Sequence, residues 1–216
     1  AFNEEDLKNF EKKIFNFLGK ITKFNYSVEP KIDGISASLT YKNKKLLYGV
    51  SRGDGKVGEL ITENLKTIKD IPKKILTMDF PENIEIRGEV YIEKKDFNNL
   101  KDKFANPRNA ASGSLRQKES SETKKIPLKF IAYTFGYEKG LKAKSQDEYL
   151  KNLKEWGFKT NPLNKTLEKI ENLMSNYHEI EKKRGDIDFD IDGIVYKVNN
   201  FQLQKRLGNV ANAPRW

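Results

Sequence analysis

Apolar residues recur at helical spacing over 4–18, "EEDLKNFEKKIFNFL", where Leu7, Phe10, Ile14, Phe17 and Leu18 share one face. Asn3 is placed to cap this helix, acids fill its first turn and Gly19 ends it. The period then shortens. Residues 26–51 alternate as strands around a hairpin turn at "KNKK", and "GDGKVGE" follows as a loop. "LITENLKTI" predicts a short helix closed by Pro72, and "IEIRGEVYI" (84–92) a strand. "EKKDFNNLKDKF" predicts a helix. So does "NPRNAASGSLRQ", begun by Pro107 and rich in small residues. A largely buried strand is expected over 128–138, then a helix in "SQDEYLKNLKEWGF" capped by Ser145. "TLEKIENLMSNYHEIEKKR" places Leu167, Ile170, Leu173, Met174, Tyr177 and Ile180 on one helical face. "DFDIDGIVYKVN" reads as a strand pair or a bent strand, and "NFQLQKRLG" as a short helix. Hairpins and helices mix without regular βα alternation. The fold class expected is α+β, antiparallel sheets with peripheral helices.

Composition narrows the chemistry. The chain has 216 residues, 37% of them hydrophobic, which suits one large domain or two small ones. Its formal net charge of +10 favours a polyanionic partner or a phosphate-bearing ligand, or else reflects a lysine-rich solubilising surface. With no cysteine and one histidine, disulfides, thiolate metal sites and histidine metal clusters are excluded. His178 is expected to be structural or at the surface. No apolar run reaches membrane-spanning length, so no membrane partner is expected, and a reducing cytosolic setting fits. The chain opens on "AFNEEDL" without Met and closes on "NVANAPRW", which suggests a piece of a longer protein.

Four motifs set charged residues beside glycines in or at the end of strand-like runs: "EPKIDG", "SRGDG", "IRGEVYI" and "DIDGIVYK". Glycine there permits close backbone approach to a ligand. No P-loop is present, so a nucleotide would be held otherwise. Lys31 in "EPKIDG" could act as a nucleophile once deprotonated, against a free pKa of about 10.4. Burial or nearby cations (Lys197, Arg52, Arg116, a bound Mg²⁺) lower that value, and Asp33 opposes them. Attack of the amine on phosphorus gives a phosphoramidate. Taken alone, K-x-D-G in so lysine-rich a chain could equally be a surface lysine.

The ordered set resembles the adenylation domain of bacterial-type NAD⁺-dependent DNA ligases. "EPKIDG", "SRGDGKVGELITENLKTIKDIP", "IRGEVYI", "FANPRNAASGSLRQ", "FIAYTFGY", "DIDGIVYKVN" and "LGNVANAPRW" match in order over nearly the whole chain. The segments around Arg108 and at "APRW" are the most particular to this type. The resemblance implies the nucleotidyltransferase fold, akin to ATP-grasp-like ligase adenylation domains. It implies that 1–20 is the trailing helix of a preceding domain for nicotinamide mononucleotide, or a linker. Residues 21–216 would be the adenylation domain, cut before its last motif.

The roles implied are these. Lys31 takes AMP from NAD⁺; Glu29 and Lys197 read the polar edge of adenine; Tyr133 stacks on its face. Glu89 holds the ribose hydroxyls, and Arg52 lies near ribose and phosphate. Gly34, Arg116 and Val195 complete the nucleotide contacts. Asp33 and Asp192 orient Lys31 or help hold Mg²⁺, although each could be a plain ion-pair partner; no other metal ligand is assigned. Arg108 and Arg116, eight residues apart, can share a helical face toward the DNA backbone and nucleotide phosphates. Zinc belongs only to the later domains of the family.

The reaction implied passes AMP to the 5′-phosphate of nicked double-stranded DNA before sealing, in replication and repair, by a monomer in the bacterial cytosol. This chain alone is expected to keep an adenosine pocket, lose most self-adenylation from NAD⁺ and seal no nicks. Two other readings remain: an ATP-dependent ligase or capping nucleotidyltransferase, separable by AMP donor, and a non-catalytic nucleic-acid-binding module of the same fold. Salt-sensitive DNA binding without nucleotide binding would favour the latter.

Overall fold

The computed structural model describes residues 3–20, 23–52, 57–211 and 213–216. The stretch 53–56, which takes in the last three residues of "SRGDG", lies outside them. The first helix, α1 (Glu4–Leu18), begins where the Asn3 side chain accepts the Asp6 N–H at 2.9 Å and ends at Gly19, whose φ is 93°. Three strands follow: β1 (Tyr26–Ile32), β2 (Ile35–Lys42) and β3 (Lys45–Ser51). Asn43 and Lys44 close the β2–β3 hairpin with φ of 49° and 66°, the backbone hand that a tight two-residue hairpin requires.

Next come α2 (Thr62–Leu65), β4 (Asn83–Tyr91), α3 (Lys94–Phe97), α4 (Pro107–Leu115), α5 (Ser120–Lys124) and β5 (Lys129–Lys139). The chain continues through α6 (Gln146–Glu155), β6 (Lys165–Leu167), α7 (Ile170–Lys183), β7 (Ile191–Val198) and α8 (Phe201–Leu207). It closes with a short pair, β8 (Asn209–Val210) and β9 (Ala213–Pro214).

The α+β expectation holds. One antiparallel sheet has the order β6-β1-β7 and another β3-β2-β4-β5, with helices around them. Alternation decides what each face does. In β2 and β4, Ala37, Leu39, Tyr41, Ile84, Ile86 and Val90 are buried in the larger core with α4 and α6. Ser36, Ser38, Glu85, Arg87 and Glu89 therefore take the opposite face. In β1, Tyr26 and Val28 enter a second core with Leu7, Ile14 and Leu18 of α1 and Leu173 of α7, so Ser27, Glu29 and Lys31 point the other way. A small apolar seam, including Ile32, Tyr91, Ile131 and Phe189, joins elements of the two sheets. A polar side of each sheet is left to build a site.

Several local expectations are corrected. The stretch 93–104 forms only α3 and a 3-10 turn at Asn98–Leu100, because the Asn pair is a poor helix former and Phe97 is its one buried anchor. Thr166 and Leu167 are not helical. They pair with Ser27 and Tyr26 as part of β6, covering an edge of β1 that would otherwise be open. Phe17 and Tyr177 are exposed rather than in the core, and the Arg215 guanidinium sits 5.2 Å from the Phe17 ring centre. Strand β5 is well buried only in its first half. "DFDIDGIVYKVN" yields one strand, irregular where Lys31 and Ile32 meet it. Ser145 occupies the N-cap of α6, but its hydroxyl donates to Asp147. The Asn199 side chain accepts the Asp147 N–H instead, at 3.0 Å.

Candidate active site

Strand β1 carries the centre of the site on one face. Glu29 and Lys31 are two residues apart, hence about 7 Å along the strand. Antiparallel β7 sets Val195 opposite Glu29, Gly193 opposite Lys31 and Lys197 opposite Ser27. That register brings Lys197 Nζ to 2.9 Å from Glu29 Oε2, with the Glu29 side chain buried and that of Lys197 only 14% exposed. Ser27 Oγ donates to the same carboxylate oxygen at 3.1 Å, and Gln146 Nε2 donates to Oε1 at 3.2 Å. A buried carboxylate survives only with such partners. The acid of "EPKIDG" thus belongs to a closed polar set, whereas the lysine does not. Lys31 is exposed, and its Nζ lies 3.0 Å from Asp192 Oδ2.

Helix α4 supplies the next layer. Asn106 accepts the Asn109 N–H at 2.7 Å and Pro107 fills the first turn, which starts a helix that packs on β2 and β4. Arg108 then donates from its guanidinium to Asp33 Oδ1 at 3.1 Å. Arg116 leaves the far end of α4, its Nε 3.3 Å from Glu59 Oε2. Both arginines reach one cleft of about 270 Å³, lined also by Lys31, Ser36, Arg52, Glu89 and Asp192. Gly34 lines it too. A Cβ at Gly34 would stand 2.3 Å from the Val90 carbonyl oxygen, so this glycine lets the chain after "EPKID" lie against β4.

The larger sheet contributes Glu89 and Tyr133. Ser36 Oγ donates to Glu89 Oε2 at 3.0 Å and lies 3.4 Å from the Tyr133 hydroxyl. Tyr133 is the extra residue where Arg87 pairs with Thr134 and Gly88 with Ala132, a bulge that re-aims its side chain. Burial raises the Tyr133 phenol above its usual range. Burial also pushes the Glu89 carboxyl up to about 7, against opposing help from Ser36, Lys31 and Arg108. Glu29, Tyr133, Val195 and Lys197 are not in the cleft wall. They adjoin it through Lys31 along the strand and through Ser36 across the sheet.

The Glu89 shift has a measurable sign. Its ordinary value is 4.5, so between about pH 4.5 and 7 the folded chain holds a proton there that the unfolded chain has released. Stability from this group is therefore greatest at low pH and declines as pH rises through about 7. Compared with Glu89→Gln, the wild-type chain is expected to lose on the order of 2 kcal/mol between pH 5 and pH 8, partial water access limiting the effect. Urea denaturation of both proteins at the two pH values measures it. Parallel pH dependence of the pair would contradict it.

Asp33 and Asp192 offer carboxylate oxygens beside a cleft rich in Arg and Lys. No group of three or more His, Cys, Asp or Glu suited to a metal ion exists among the described residues. One or two carboxylates completed by ligand phosphate oxygens is, however, a set that Mg²⁺ commonly accepts. His178, exposed and 3.6 Å from Glu181, does not line this cleft. The sequence reading missed Ser27, Ser36 and Gln146. The two serines follow from strand alternation once Glu29 and Glu89 are placed. Gln146 carried no such local signal.

The whole chain, residues 1–216, matches the family model described as NAD-dependent DNA ligase adenylation domain. It is 67% identical to a DNA ligase of Pelagibacter ubique over 100% of this chain and 32% of that protein. It is 49% identical to a DNA ligase of Bartonella bacilliformis and 48% identical to one of Rickettsia canadensis, again over all of this chain, and over 31% and 32% of those proteins. The chain thus spans about a third of the length of the relatives it matches.

Proposed function

The chain belongs to the family of NAD-dependent DNA ligase adenylation domains, and from that premise we propose that Lys31 accepts AMP from NAD⁺ as a phosphoramidate. The observation that carries this reading is the placement of Lys31. It stands between a buried acid–lysine pair that suits a purine edge and a cleft lined by Arg52, Arg108 and Arg116 that suits phosphate. Glu29 accepts from the exocyclic amine of adenine, and Lys197 donates to a ring nitrogen. Tyr133 stacks on the base, Val195 lies beneath it, and Glu89 binds the ribose. Asp192 holds and orients the Lys31 amine. Asp33, paired with Arg108, fixes that arginine toward the phosphates.

Asp33 or Asp192, together with phosphate oxygens of the nucleotide, would hold Mg²⁺, which when bound would neutralise charge on the transferring phosphoryl group. The chain's own work is positioning and electrostatics. In the whole ligase, AMP then moves to the 5′-phosphate at a nick in duplex DNA, and the 3′-hydroxyl displaces it. Nick sealing is proposed for the whole enzyme, of which these residues are the adenylating part. The AMP donor distinguishes this reading from an ATP-dependent enzyme.

Calorimetric titration of the 216 residues with NAD⁺ tests the pocket. Saturable binding is expected, weakened about tenfold or more in Glu89→Ala, as befits loss of a hydrogen bond involving a charged group. Equal binding by both proteins would remove Glu89 from the site. No binding to the wild-type chain would count against the pocket itself.

A further inference from the structure

Gln146 is a buried polar residue, 2% exposed, that opens α6 and touches both sheets. Its side-chain nitrogen donates to Glu29 Oε1 at 3.2 Å and to the Tyr133 carbonyl at 2.7 Å. Both neighbours are acceptors, so only one orientation of the amide satisfies them. The backbone holds the residue in place. Gln146 N–H donates to the Asn199 carbonyl at 2.8 Å, two residues beyond Lys197 on the chain. Asn199 is itself buried, and its side chain both accepts from the Asp147 N–H and donates to Asp147 Oδ1. The end of strand β7 that carries Lys197 therefore also fixes the amide that faces Glu29.

An ionised carboxylate has roughly four acceptor positions. Lys197 and Ser27 occupy Oε2, and Gln146 occupies one position on Oε1. Three donors fix the carboxylate plane and leave Oε1 an acceptor direction for a base. A 6-amino group would satisfy that direction, whereas a 6-oxo group would face it with a second acceptor. We propose that Gln146 is a positioning residue for base specificity: it orients Glu29 so that the pocket selects a 6-aminopurine over a 6-oxopurine. Ser27 assists from the other oxygen. The inference rests on the reading of Glu29 as the adenine-edge acceptor.

The test compares NAD⁺ with nicotinamide hypoxanthine dinucleotide, its 6-oxo counterpart, by calorimetric titration of the 216-residue chain. The wild-type chain is expected to prefer NAD⁺ by about 10- to 100-fold, the range for a hydrogen bond to a charged group. Gln146→Met keeps length and apolar bulk but removes the donor. It is expected to reduce that preference about tenfold, chiefly by weakening NAD⁺. Ser27→Ala, a small change that leaves the α6 junction intact, should reduce it in the same direction by less. Thermal melts of each variant establish that the compared proteins are folded.

If both variants bind the two dinucleotides with the wild-type ratio, Gln146 serves packing alone and the inference fails, while the adenine reading stands. If Gln146→Met does not fold, the Ser27→Ala ratio decides in the same way. If the wild-type chain binds both dinucleotides alike, Glu29 does not read the 6-position, and both the adenine reading and this inference fall.

Discussion

Lys31→Arg is expected to bind NAD⁺ and form no covalent adduct with AMP. Arginine keeps the positive charge and can still pair with Asp192, which now lies 3.0 Å from the lysine nitrogen. Its guanidinium remains protonated at any working pH and offers no nucleophilic lone pair. The phosphates therefore meet the same charge, while the bond-forming atom is gone. Adduct formation should fall by more than about 10⁴-fold, with NAD⁺ affinity changed less than about threefold. A suitable vehicle is a chimera in which these 216 residues replace the matching third of the Pelagibacter ubique DNA ligase, with which they share 67% identity. Intact-mass spectrometry follows the adduct and calorimetry the affinity. Retained adduct formation would assign the nucleophile elsewhere. Joint loss of adduct and affinity would make Lys31 a binding residue.

The second large effect concerns stability. Glu29→Leu would leave Lys197 buried without its partner, at a site where the pair is now 2.9 Å apart and both side chains are at most 14% exposed. One-sided removal of a buried ion pair costs about 3–5 kcal/mol, because the remaining charge has lost its compensation. Glu29→Leu with Lys197→Met removes both charges and should recover most of that loss. Urea denaturation of the wild-type chain, the single variant and the double variant measures the three values. NAD⁺ binding should not return in the double variant, since an apolar pair can neither accept from nor donate to a purine edge. Recovery of binding together with stability would mean that the pair only supports the fold. A single variant as stable as wild type would mean that water reaches Lys197 freely.

These expectations rest on features of unequal visibility in the sequence. Local ones were plain. Asn3, Gly19, the Asn43–Lys44 turn and Asn106–Pro107 each act through backbone groups a few residues away, so composition marks them. The alternation of β1 and β4 likewise separates core residues from Glu29, Lys31 and Glu89. What the chain does not spell out is which distant strands meet. Thr166 and Leu167 read as the start of a helix because their role is to cover β1, an edge that no local pattern reveals. The bulge that redirects Tyr133 depends on register with β4. Gln146 looks like any polar residue in a first helical turn, and its burial follows only from the approach of two sheets. The ion pairs of Lys31 with Asp192 and Asp33 with Arg108 lie between these cases. Their residue types drew attention, but the pairing needed the fold.

One bond is decisive, between Lys31 Nζ and the phosphorus of AMP. The direct measurement is tandem mass spectrometry of the chimera after incubation with Mg²⁺ and either NAD⁺ or ATP, using acid-labile AMP as the mark of a phosphoramidate. AMP on Lys31 is expected after NAD⁺, with release of nicotinamide mononucleotide and with ATP ineffective. AMP on another residue, or an adduct formed from ATP and not from NAD⁺, would contradict it.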